Sequence, residues 1–350
     1  MHSDKRVAKE MTGRRQARPG ASARLTNPAQ SRTKTGGLTT AASEIRITVA
    51  IPTYNRAGLL RQTLAGVTRQ DYPADQYEVL VIDNNSRDDT REVVASFAAA
   101  RPAPRYVLET RQGLDHARNR ALAEARGDII VFADDDILVE SGWLRELTAP
   151  LLGDGDGRIG AVGGEVVPAF PDGLPRWLEG AHTSLAFRAD AGPLAPSQTP
   201  MGANLALPQR VLARHGPFST ELDRAGTVQF SGGDSEMIQR LRAAGLEIWF
   251  APGAKALHQM PAARLTFRHA ARHAFDSARS RVIDRVRQGR AAGYLASRLL
   301  GNALKAPACA VLALLCLILT RTGAARKAAV RAWRACGYLY QIPRSAVGRR

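Results

Sequence analysis

The ten-residue segment GDIIVFADDD (127–136) places the strongest constraint on how this chain can fold. Its run of four apolar residues, 129–132, is typical of a strand that is buried on both faces of a sheet. Three carboxylates, Asp134, Asp135 and Asp136, follow that strand directly. Because crowded carboxylates repel one another, the strand end favours a bound cation, and a divalent metal that also holds phosphate oxygens fits such ligands. A solvated acidic turn is the alternative.

Apolar strands and amphipathic helices alternate through the first half of the chain. Strands are predicted at 45–51, 77–83, 105–109 and 128–133. A helix is predicted after each of the first three, the last of them within 113–127. This alternation indicates an α/β fold with a Rossmann-like, mostly parallel central sheet flanked by helices. Ligands of such sheets bind beyond the carboxyl ends of the strands, which is where the acidic segment lies.

The second half is predicted to be less regular, with a glycine-rich strand at 159–168 and a short strand at 247–252. Three residues are predicted to mark helix boundaries. Asn55 is an expected N-cap of the first helix, because its side chain can accept a hydrogen bond from the first turn. Gly127 and Gly245 are expected to follow helix C-termini in the left-handed conformation.

The net charge of +17 is unevenly distributed and divides the chain into three parts. Residues 1–43 carry nine basic and two acidic residues and few large apolar ones, so a disordered basic tail is predicted. Residues 261–350 carry eighteen basic and two acidic residues. The remaining segment, 44–260, is predicted to be the folded domain and has a net charge of −6. That sign argues against a nucleic-acid groove on the domain.

The C-terminal region, 261–350, is predicted to be helical and membrane-associated. Arginines recur at near-helical spacing from Arg264 onward, and residues 306–320 form an uncharged run of 15. As a helix this run would be about 22 Å long, which is shorter than a membrane crossing requires. Residues 323–343 then form a basic amphipathic segment. We therefore expect this region to lie on an anionic membrane surface, with a buried helical hairpin as the alternative.

Cysteine usage and the N-terminal residues bear on the compartment. The three cysteines, Cys309, Cys316 and Cys336, form no CxxC pair and no even-numbered framework, which favours a reducing compartment. The N-terminal residues are basic but lack the apolar core of a secretory signal. The sequence therefore predicts a cytoplasmic protein that is peripheral on the cytoplasmic face of the membrane.

Four polar residues outside the acidic segment are candidates for the same site. Asp83 ends a strand, where it can accept a hydrogen bond from a uracil or guanine ring N–H, or act as a helix N-cap. Arg118 and Asn119 lie about one turn into a helix and can contact phosphate or base, or only solvent. Asp234 follows a glycine turn before a helix, so its carboxylate is expected to be exposed. The alternative is an N-cap role, with Glu236 as an acid of the first turn.

Seven segments of the chain, taken together and in order, resemble motifs of the inverting family 2 glycosyltransferases, which have a GT-A fold. The resemblance covers roughly residues 45–260. It is carried by VAIPTYNR (49–56), VIDNNSRDDT (81–90), GLDHARNRAL (113–122), FADDDI (132–137), GANLAL (202–207), GPF (216–218) and SGGDSEMIQRLRAAG (231–245). The family pattern for the last segment has Glu before the catalytic Asp, whereas this chain has Gly233.

This resemblance implies specific roles for the residues of these segments. It implies a catalytic base at Asp234, with Glu236 as the fallback. It implies a Mg²⁺ or Mn²⁺ site at Asp134, Asp136 and His258, with Asp136 ahead of Asp134 as the direct ligand. Contacts to the nucleotide sugar are implied for Pro52, Thr53, Tyr54, Asn55, Arg56, Asp83, Asn85, Gly113, Arg118, Asn119, Asp134 and Asp135.

The activity implied by the resemblance is a metal-assisted single displacement. Asp234 would deprotonate an acceptor hydroxyl, which attacks the anomeric carbon of a UDP- or GDP-sugar and inverts its configuration. The acceptor would be a glycan or a lipid-linked molecule, in the synthesis of cell-envelope polysaccharide, glycolipid or glycoconjugate. Two alternatives stay open. One is a sugar nucleotidyltransferase, which would be expected to have a glycine-rich phosphate turn in place of PTYNR, and the other is a non-catalytic membrane-bound scaffold.

Overall fold

The structure, a computed structural model, describes residues 46–179, 190–220, 233–287, 289 and 292–347. All of these residues belong to one compact unit. The predicted disordered tail, residues 1–43, lies outside the described residues. Residues 231–232, in the glycine turn before Asp234, lie outside them as well.

Nine strands form a single mixed sheet in the described part of the chain. They are β1 (Ile47–Thr53), β2 (Tyr77–Asp83), β3 (Arg105–Leu108), β4 (Ile129–Ala133), β5 (Ile137–Val139), β6 (Ile159–Ala169), β7 (Gly192–Pro193), β8 (Asn204–Pro208) and β9 (Glu247–Gln259). Their order across the sheet is β3-β2-β1-β4-β8-β6-β9-β5, and β7 pairs with β9.

Helices flank this sheet and complete the C-terminal region. The described helices are α1 (Ala57–Val67), α2 (Thr90–Ala95), α3 (Leu114–Glu124), α4 (Trp143–Leu152), α5 (Gln209–His215), α6 (Gly233–Ala243), α7 (Phe267–Arg287), α8 (Ala292–Ile318) and α9 (Thr322–Val347). The central strands are buried on both faces, as their unbroken apolar sequences predict. Val49 of β1 belongs to the same buried cluster as Leu60 of α1, whereas the adjacent Ala50 belongs to the cluster that contains Ala117 of α3.

The first four strands of the domain are parallel, which confirms the predicted Rossmann-like half. β1 lies between β2 and β4, and β3 pairs with β2. The register aligns Thr53 with Asp83 and Asp83 with Leu108, so these strands end at one edge of the sheet. The turns that follow β1, β2 and β4 therefore lie side by side.

The second half of the sheet contains antiparallel pairs and brings distant segments to the same edge. β8 runs antiparallel to β4 and pairs Asn204 with Ala133. β5 runs antiparallel to β9 and pairs Ile137 with His258. This second pairing carries the end of β9 to the acidic segment that precedes β5.

β9 is longer than the strand predicted at 247–252. Pro252 and Gly253 are typical of a strand end, and the sequence was therefore expected to leave the sheet there. The strand continues to Gln259 instead, and its pairing with β6 shifts register near these two residues. An irregularity of this kind accommodates residues that a regular ladder excludes, so β9 continues past Pro252 and Gly253 and pairs with β6 and β5 up to its end.

The predicted N-cap of α1 is wrong. The helix begins after Arg56, and Asn55 lies in the preceding turn with a φ of 52°. The Asn55 side-chain oxygen accepts a hydrogen bond from the Arg87 N–H over 2.8 Å. Asn55 therefore ties the turn after β1 to the turn after β2.

The two predicted helix-ending glycines have different outcomes. Gly245 follows α6 with a φ of 82°, which confirms its predicted role. Gly127 does not follow α3 directly, because that helix ends at Glu124. A Cβ on Gly127 would lie 2.6 Å from the backbone carbonyl carbon of Ile47, so this glycine permits the chain to pass close to β1.

The C-terminal region consists of three long helices, and α9 packs along both α7 and α8. α8 extends over 27 residues and so begins well before the predicted run at 306–320. By length and composition it is able to cross a membrane. The helical arginine series that was predicted to start at Arg264 does not include this residue. Arg264 lies in a 3₁₀ turn, Ala262–Leu265, that follows Pro261 and precedes α7.

Candidate active site

The three carboxylates after β4 stand at the edge of the sheet where the parallel strands end. Asp135 and Asp136 are buried, and Asp134 is half-buried. The Thr53 hydroxyl, at the end of β1, donates to Asp135 Oδ2 over 2.8 Å. Arg56, in the turn after β1, donates to Asp135 Oδ1 over 2.8 Å and to Asp136 Oδ2 over 3.1 Å. The turn that follows β1 therefore holds the second and third acids in place.

Asp136 is also reached from the far end of β9. His258 Nε2 lies 3.0 Å from Asp136 Oδ1, because the register of β9 against β5 sets His258 opposite Ile137. Arg264, in the 3₁₀ turn after β9, lies 2.9 Å from Asp136 Oδ2. Basic side chains from three separate segments therefore surround one buried carboxylate.

The two buried acids differ in their pKa. Burial raises the pKa of Asp135 to about 6, and the positive charge of Arg56 only partly opposes this. Burial acts on Asp136 in the same direction, but His258, Arg264 and Arg56 outweigh it and lower the pKa of Asp136 to about 2. Asp136 is therefore ionised at neutral pH, which is the state that a metal ligand requires.

Asp134, Asp136 and His258 form a group that could hold a divalent metal. Each offers one ligand atom, and these atoms all lie within 4.8 Å of one another. Among the residues that the structure describes, Asp136 Oδ1 and His258 Nδ1 are buried polar atoms without a hydrogen bond of good geometry. Carboxylates suit Mg²⁺ and Mn²⁺, and an imidazole adds a ligand that transition metals bind. The donor set therefore fits the predicted cofactor and favours Mn²⁺ of the two.

Asp234, in the first turn of α6, is held from two sides. Arg118 Nη1 lies 2.5 Å from Asp234 Oδ1, and the Gly202 N–H donates to Asp234 Oδ2 over 3.2 Å. A Cβ on Gly202 would overlap the Asp234 carboxylate, so the close approach requires glycine. The Asp234 side chain remains 29% exposed. It is therefore fixed in position and accessible to a ligand, whereas Glu236, the alternative base, pairs with Arg240 of its own helix.

Arg118 is buried beneath Asp234 rather than on a solvated helix face. Its Nη1 also lies 3.0 Å from Asp115 Oδ1. Its guanidinium carbon lies 5.9 Å from the centre of the Phe132 ring and 5.2 Å from the centre of the Phe218 ring, which are cation–π distances. The predicted contact between Arg118 and the donor stays a prediction.

Asn119 makes two hydrogen bonds to the main chain of the GPF segment. Its Nδ2 donates to the Phe218 carbonyl, and its Oδ1 accepts from the Phe218 N–H, both over 2.9 Å. These bonds fix Phe218, whose ring meets Phe132 edge-on at 5.2 Å. Asn119 therefore supports the wall of the site around Arg118, and its predicted contact with the donor stays a prediction.

The other residues predicted to contact the nucleotide lie at the ends of β1 and β2. Tyr54 and Asn85 are exposed at this edge, whereas Pro52 is buried within β1. Asp83 is buried and accepts hydrogen bonds from the Ser86 N–H over 2.9 Å and from the Tyr106 hydroxyl over 2.7 Å. It is not the N-cap of α2, which begins only at Thr90.

Asn84 joins the end of β2 to the start of α3, and no role was predicted for it from the sequence. The Gly113 N–H donates to Asn84 Oδ1 over 2.7 Å, and Asn84 Nδ2 donates to the Arg111 carbonyl over 2.7 Å. Gly113 has a φ of 148°, which few residues other than glycine adopt. Asn84, the residue after Asp83, therefore holds Gly113 near the end of β2.

No site role was predicted from the sequence for three further residues, Asp115, Arg264 and Gly202. The i, i+3 spacing of Asp115 and Arg118 on one helix could have predicted their ion pair. Pro261, just before Arg264, could have indicated a turn in place of a continuing helix. Gly202 carried no such signal, because its need for a missing Cβ depends on Asp234, which is distant in sequence.

The sequence of this edge can be compared with known proteins. The family model named Glycosyl transferase family 2 matches residues 48–192. This part of the chain is similar to the family 2 glycosyltransferases. The matched residues include the turns after β1 and β2 and the acidic segment after β4, and Asp234 and His258 lie beyond them.

The curated relatives of this chain overlap with only part of it. Glycosyltransferase AglE of Haloferax volcanii is 31% identical over 207 residues, which is 59% of this chain and 64% of that protein. The GalNAc(5)-diNAcBac-PP-undecaprenol beta-1,3-glucosyltransferase of Campylobacter jejuni is 34% identical over 104 residues, 29% of this chain and 33% of that protein. The chain therefore spans less than two thirds of the length of these relatives.

A solved structure supports the assignment of the fold. Mannosyltransferase PcManGT from Pyrobaculum calidifontis, in complex with GDP-Man and Mn²⁺, matches with a TM-score of 0.54 and 24% sequence identity. The match covers 86% of this chain and 87% of that one. It confirms the predicted GT-A class, a mostly parallel sheet flanked by helices, and it includes the C-terminal helices in its extent.

Proposed function

We propose that the protein is an inverting glycosyltransferase, which moves a sugar from a nucleotide-diphosphate sugar to an acceptor hydroxyl. One observation carries the proposal: two separate acidic sites are linked to adjacent residues of one segment. The Asp134 N–H donates to the Ala203 carbonyl, and the Gly202 N–H donates to Asp234. Asp134, Asp136 and His258 form the first, and Asp234 is the second, held by Arg118 on a different helix. A site for the leaving diphosphate and a separate base are the two requirements of a single displacement.

On the donor side, the chain supplies two arginine side chains beside the acidic segment. Arg56 and Arg264 are both partly exposed and both pair with Asp136. When a donor binds, these guanidiniums can turn toward its diphosphate oxygens, which they recognise in a bidentate manner. Asp83, which Ser86 and Tyr106 fix at the end of β2, would accept the ring N–H of a nucleotide base.

Asp134, Asp136 and His258 would hold the metal ion. A divalent ion in this position would neutralise the charge that develops on the departing diphosphate. The chain keeps Asp136 ionised and buried among Arg56, Arg264 and His258, so the ligand is charged before any ion arrives.

On the acceptor side, Asp234 would take the proton of the attacking hydroxyl. The Gly202 N–H and the Arg118 guanidinium fix its carboxylate, and its partial exposure lets an acceptor reach it. The hydroxyl then attacks the anomeric carbon from the face opposite the diphosphate. A single attack of this kind inverts the configuration at that carbon.

Relatives support the substrate classes of this proposal. The mannosyltransferase structure contains GDP-Man and Mn²⁺, which supports a GDP- or UDP-sugar donor and Mn²⁺ here. The name of the Campylobacter jejuni relative gives GalNAc(5)-diNAcBac-PP-undecaprenol as its acceptor, which supports a glycan or lipid-linked acceptor here. The expected role is therefore in cell-envelope polysaccharide, glycolipid or glycoconjugate synthesis.

We propose further that the protein lies at an anionic membrane surface, on its cytoplasmic side, and the exposed side chains of the C-terminal helices support the surface position. α8 and the residue after it expose many large apolar side chains: Leu299, Leu300, Leu304, Val311, Leu312, Leu314, Leu315, Leu317, Ile318 and Leu319. Exposed arginines Arg321, Arg331 and Arg334 lie in the adjoining turn and in α9. α8 packs along α9 and carries Lys305 near its middle, which favours an interfacial helix over a membrane crossing.

Binding of Mn²⁺ together with a nucleotide tests the donor half of this proposal. We would titrate Mn²⁺ into the full chain in the presence of UDP or GDP and follow free Mn²⁺ by electron paramagnetic resonance. The wild type is expected to bind Mn²⁺, and Asp136→Asn is expected to weaken that binding by about tenfold or more, as loss of an outer partner alone already can. His258→Gln is the second variant, in case Asp136→Asn is poorly folded.

Asp71→Asn is the matched control, because Asp71 is an exposed acid that pairs with the exposed Arg145. It is expected to bind Mn²⁺ like the wild type. The donor half of the proposal is wrong if neither UDP nor GDP promotes Mn²⁺ binding, or if both site variants bind as tightly as Asp71→Asn.

A further inference from the structure

The space beside Gly233, at the start of α6, is occupied by a carboxylate from another helix. A Cβ on Gly233 would overlap Asp115 Oδ2, and Asp115 Oδ1 would be only 2.8 Å from it. Asp115 is buried and belongs to α3, far earlier in the chain. Any side chain at position 233 would therefore displace Asp115.

Asp115 is connected to Asp234 through a single guanidinium nitrogen. Arg118 Nη1 lies 3.0 Å from Asp115 Oδ1 and 2.5 Å from Asp234 Oδ1. The side chains of Asp115 and Arg118 are 3% and 5% exposed, so solvent screens this contact only weakly. One arginine is thus shared by a buried carboxylate and by the partly exposed carboxylate of Asp234.

We infer that Asp115 is a positioning residue for glycosyl transfer, acting on Asp234 through Arg118, and that position 233 is glycine in order to admit it. The inference rests on the proposed function, in which Asp234 is the base. An ionised Asp115 takes part of the charge of Arg118. A neutral side chain at position 115 would leave Asp234 as the charged partner of Arg118 Nη1 and tighten the contact between these two groups.

Asp115 also fixes where Arg118 stands. The rings of Phe132 and Phe218 hold the guanidinium by its faces, and Asp115 holds it at its edge. If Asp115 is truncated, Arg118 loses one of the two carboxylates that its Nη1 contacts and keeps only Asp234. Arg118 and Asp234 can then shift together. A displacement of a reacting group by about 1 Å costs on the order of 100-fold in rate.

The geometry also predicts that the carboxylate can be supplied from position 233. The two Asp115 oxygens lie 2.4 and 2.8 Å from the position of a Cβ on Gly233. These distances are close to the distance between the Cβ and the carboxylate oxygens within one aspartate side chain. An aspartate at 233 can therefore place its carboxylate where that of Asp115 was, provided that Asp115 is truncated. Such a rescue is not expected of a residue that serves only to fill space.

The test compares four variants of the full chain: Asp115→Asn, Asp115→Ala, Gly233→Ala and the double variant Asp115→Ala/Gly233→Asp. The substrates are UDP-glucose, UDP-N-acetylglucosamine and GDP-mannose with Mn²⁺, and their consumption gives kcat. Calorimetry gives the donor Kd, and thermal unfolding gives Tm. Two controls are matched by residue type: Asp89→Asn, an exposed acid, and Gly155→Ala, whose Cβ would have nothing within 4 Å.

Asp115→Asn is expected to lower kcat by about 100-fold while the donor Kd stays within about twofold, since the donor is not its partner. Gly233→Ala, which displaces the same carboxylate, is expected to lower kcat to a similar extent. The double variant is expected to recover at least about tenfold of the kcat that Asp115→Ala loses. Both controls should behave as the wild type.

A kcat of Asp115→Asn equal to that of Asp89→Asn would overturn the inference, and so would a double variant no faster than Asp115→Ala. If the Asp115 variants do not fold, Gly233→Ala decides, and a kcat equal to that of Gly155→Ala overturns the inference. An active wild type with unimpaired variants defeats the inference alone. A wild type that consumes none of the donors defeats the proposed function and the inference with it.

Discussion

Single residues of the site hold one another through shared charges. Arg118 stands between Asp115 and Asp234, while Asp136 stands among Arg56, Arg264 and His258. Removing one member leaves a buried charge without its partner, which costs more than the contact itself contributed. Substitutions within either group are therefore expected to be non-additive.

One charge pair outside the catalytic groups predicts a pH dependence of stability. Arg111 donates to both oxygens of the buried Glu109 carboxylate over 2.9 and 3.0 Å, and these bonds lower the pKa of Glu109 to about 2 from its usual 4.5. A carboxyl with a lowered pKa stabilises the fold above its unfolded pKa, and that stability is lost as the pH falls from 4.5 toward 2.

Glu109→Gln is accordingly expected to lower Tm at pH 7 by about 2 °C, because the exposed Arg111 leaves the pair worth about 1 kcal/mol. The difference in Tm between variant and wild type should shrink as the pH is lowered below 4.5. Glu140→Gln, at an exposed position, is the control and should leave Tm unchanged. A difference in Tm that stays constant from pH 7 to pH 3 would contradict the assignment.

How far the site could be predicted differs from residue to residue. Asp134, Asp136 and Asp234 were indicated by short local patterns, an acidic run after a strand and an acid after a glycine turn. Arg264 and Gly202 were not, because their contacts depend on which distant segments the sheet brings together. A local pattern reports residue type and spacing, whereas these two residues acquire their roles only in the folded chain.

At the scale of elements, the strands of the first half were predictable because both of their faces are buried. β1, β2 and β4 are unbroken apolar runs for that reason. The end of β9 was not predictable, since Pro252 and Gly253 give the local signal of a loop while the sheet continues through them. The extension matters for the candidate metal site, because it is what carries His258 to Asp136.

Gly127 offers a test of how two elements approach each other. A Cβ there would lie 2.6 Å from the Ile47 carbonyl carbon and from the Thr48 nitrogen, which the ladders of β1 hold in place. Gly127→Ala is expected to destabilise the fold by about 1–3 kcal/mol through this overlap. Gly58→Ala is the control, because its Cβ would have nothing within 4 Å and lies in a helix, where Ala is favoured.

Gly127→Asn distinguishes two explanations for the glycine at position 127: a close approach to β1 and a left-handed helix end. Asn is tolerated in the left-handed conformation that follows a helix, whereas it is larger than Ala in a tight contact. It is therefore expected to lower Tm at least as much as Gly127→Ala. A Gly127→Asn variant with the Tm of the wild type would contradict the close-approach explanation.

At the scale of the whole molecule, charge and apolar surface are separated along the chain. The acidic domain carries the candidate site residues, and the basic region carries the exposed face of α8. The composition predicted this division, but it underestimated α8, because the apolar run at 306–320 continues backward into a helix that starts at Ala292. Sequence hydropathy marks the uncharged core of such a helix and not its ends.

Vesicle binding tests the proposed membrane surface. The full chain is expected to sediment with vesicles of phosphatidylcholine and phosphatidylglycerol, and less with phosphatidylcholine alone, because each basic residue near an anionic surface contributes about 1 kcal/mol. Replacing Leu304, Leu314 and Ile318 together by Gln is expected to abolish sedimentation. The control replaces Leu108 and Leu152, exposed apolar residues of the domain, by Gln.

Extraction distinguishes an interfacial helix from one that crosses the membrane. Alkaline carbonate is expected to release the wild type from vesicles, as for a peripheral protein. Retention after carbonate would contradict the interfacial position of α8. Equal sedimentation of the α8 variant and its control would contradict a role of α8 in membrane binding altogether.

The most direct test of the proposed activity is the turnover of nucleotide sugars by the wild type and by Asp234→Asn. UDP-glucose, UDP-N-acetylglucosamine and GDP-mannose would be supplied with Mn²⁺, and donor affinity would be measured beside the rate. The wild type should consume at least one donor, and EDTA should stop it. Asp234→Asn should lose about 100-fold or more of that rate with donor affinity unchanged, as expected for removal of a general base. Turnover by Asp234→Asn at the wild-type rate would contradict the account.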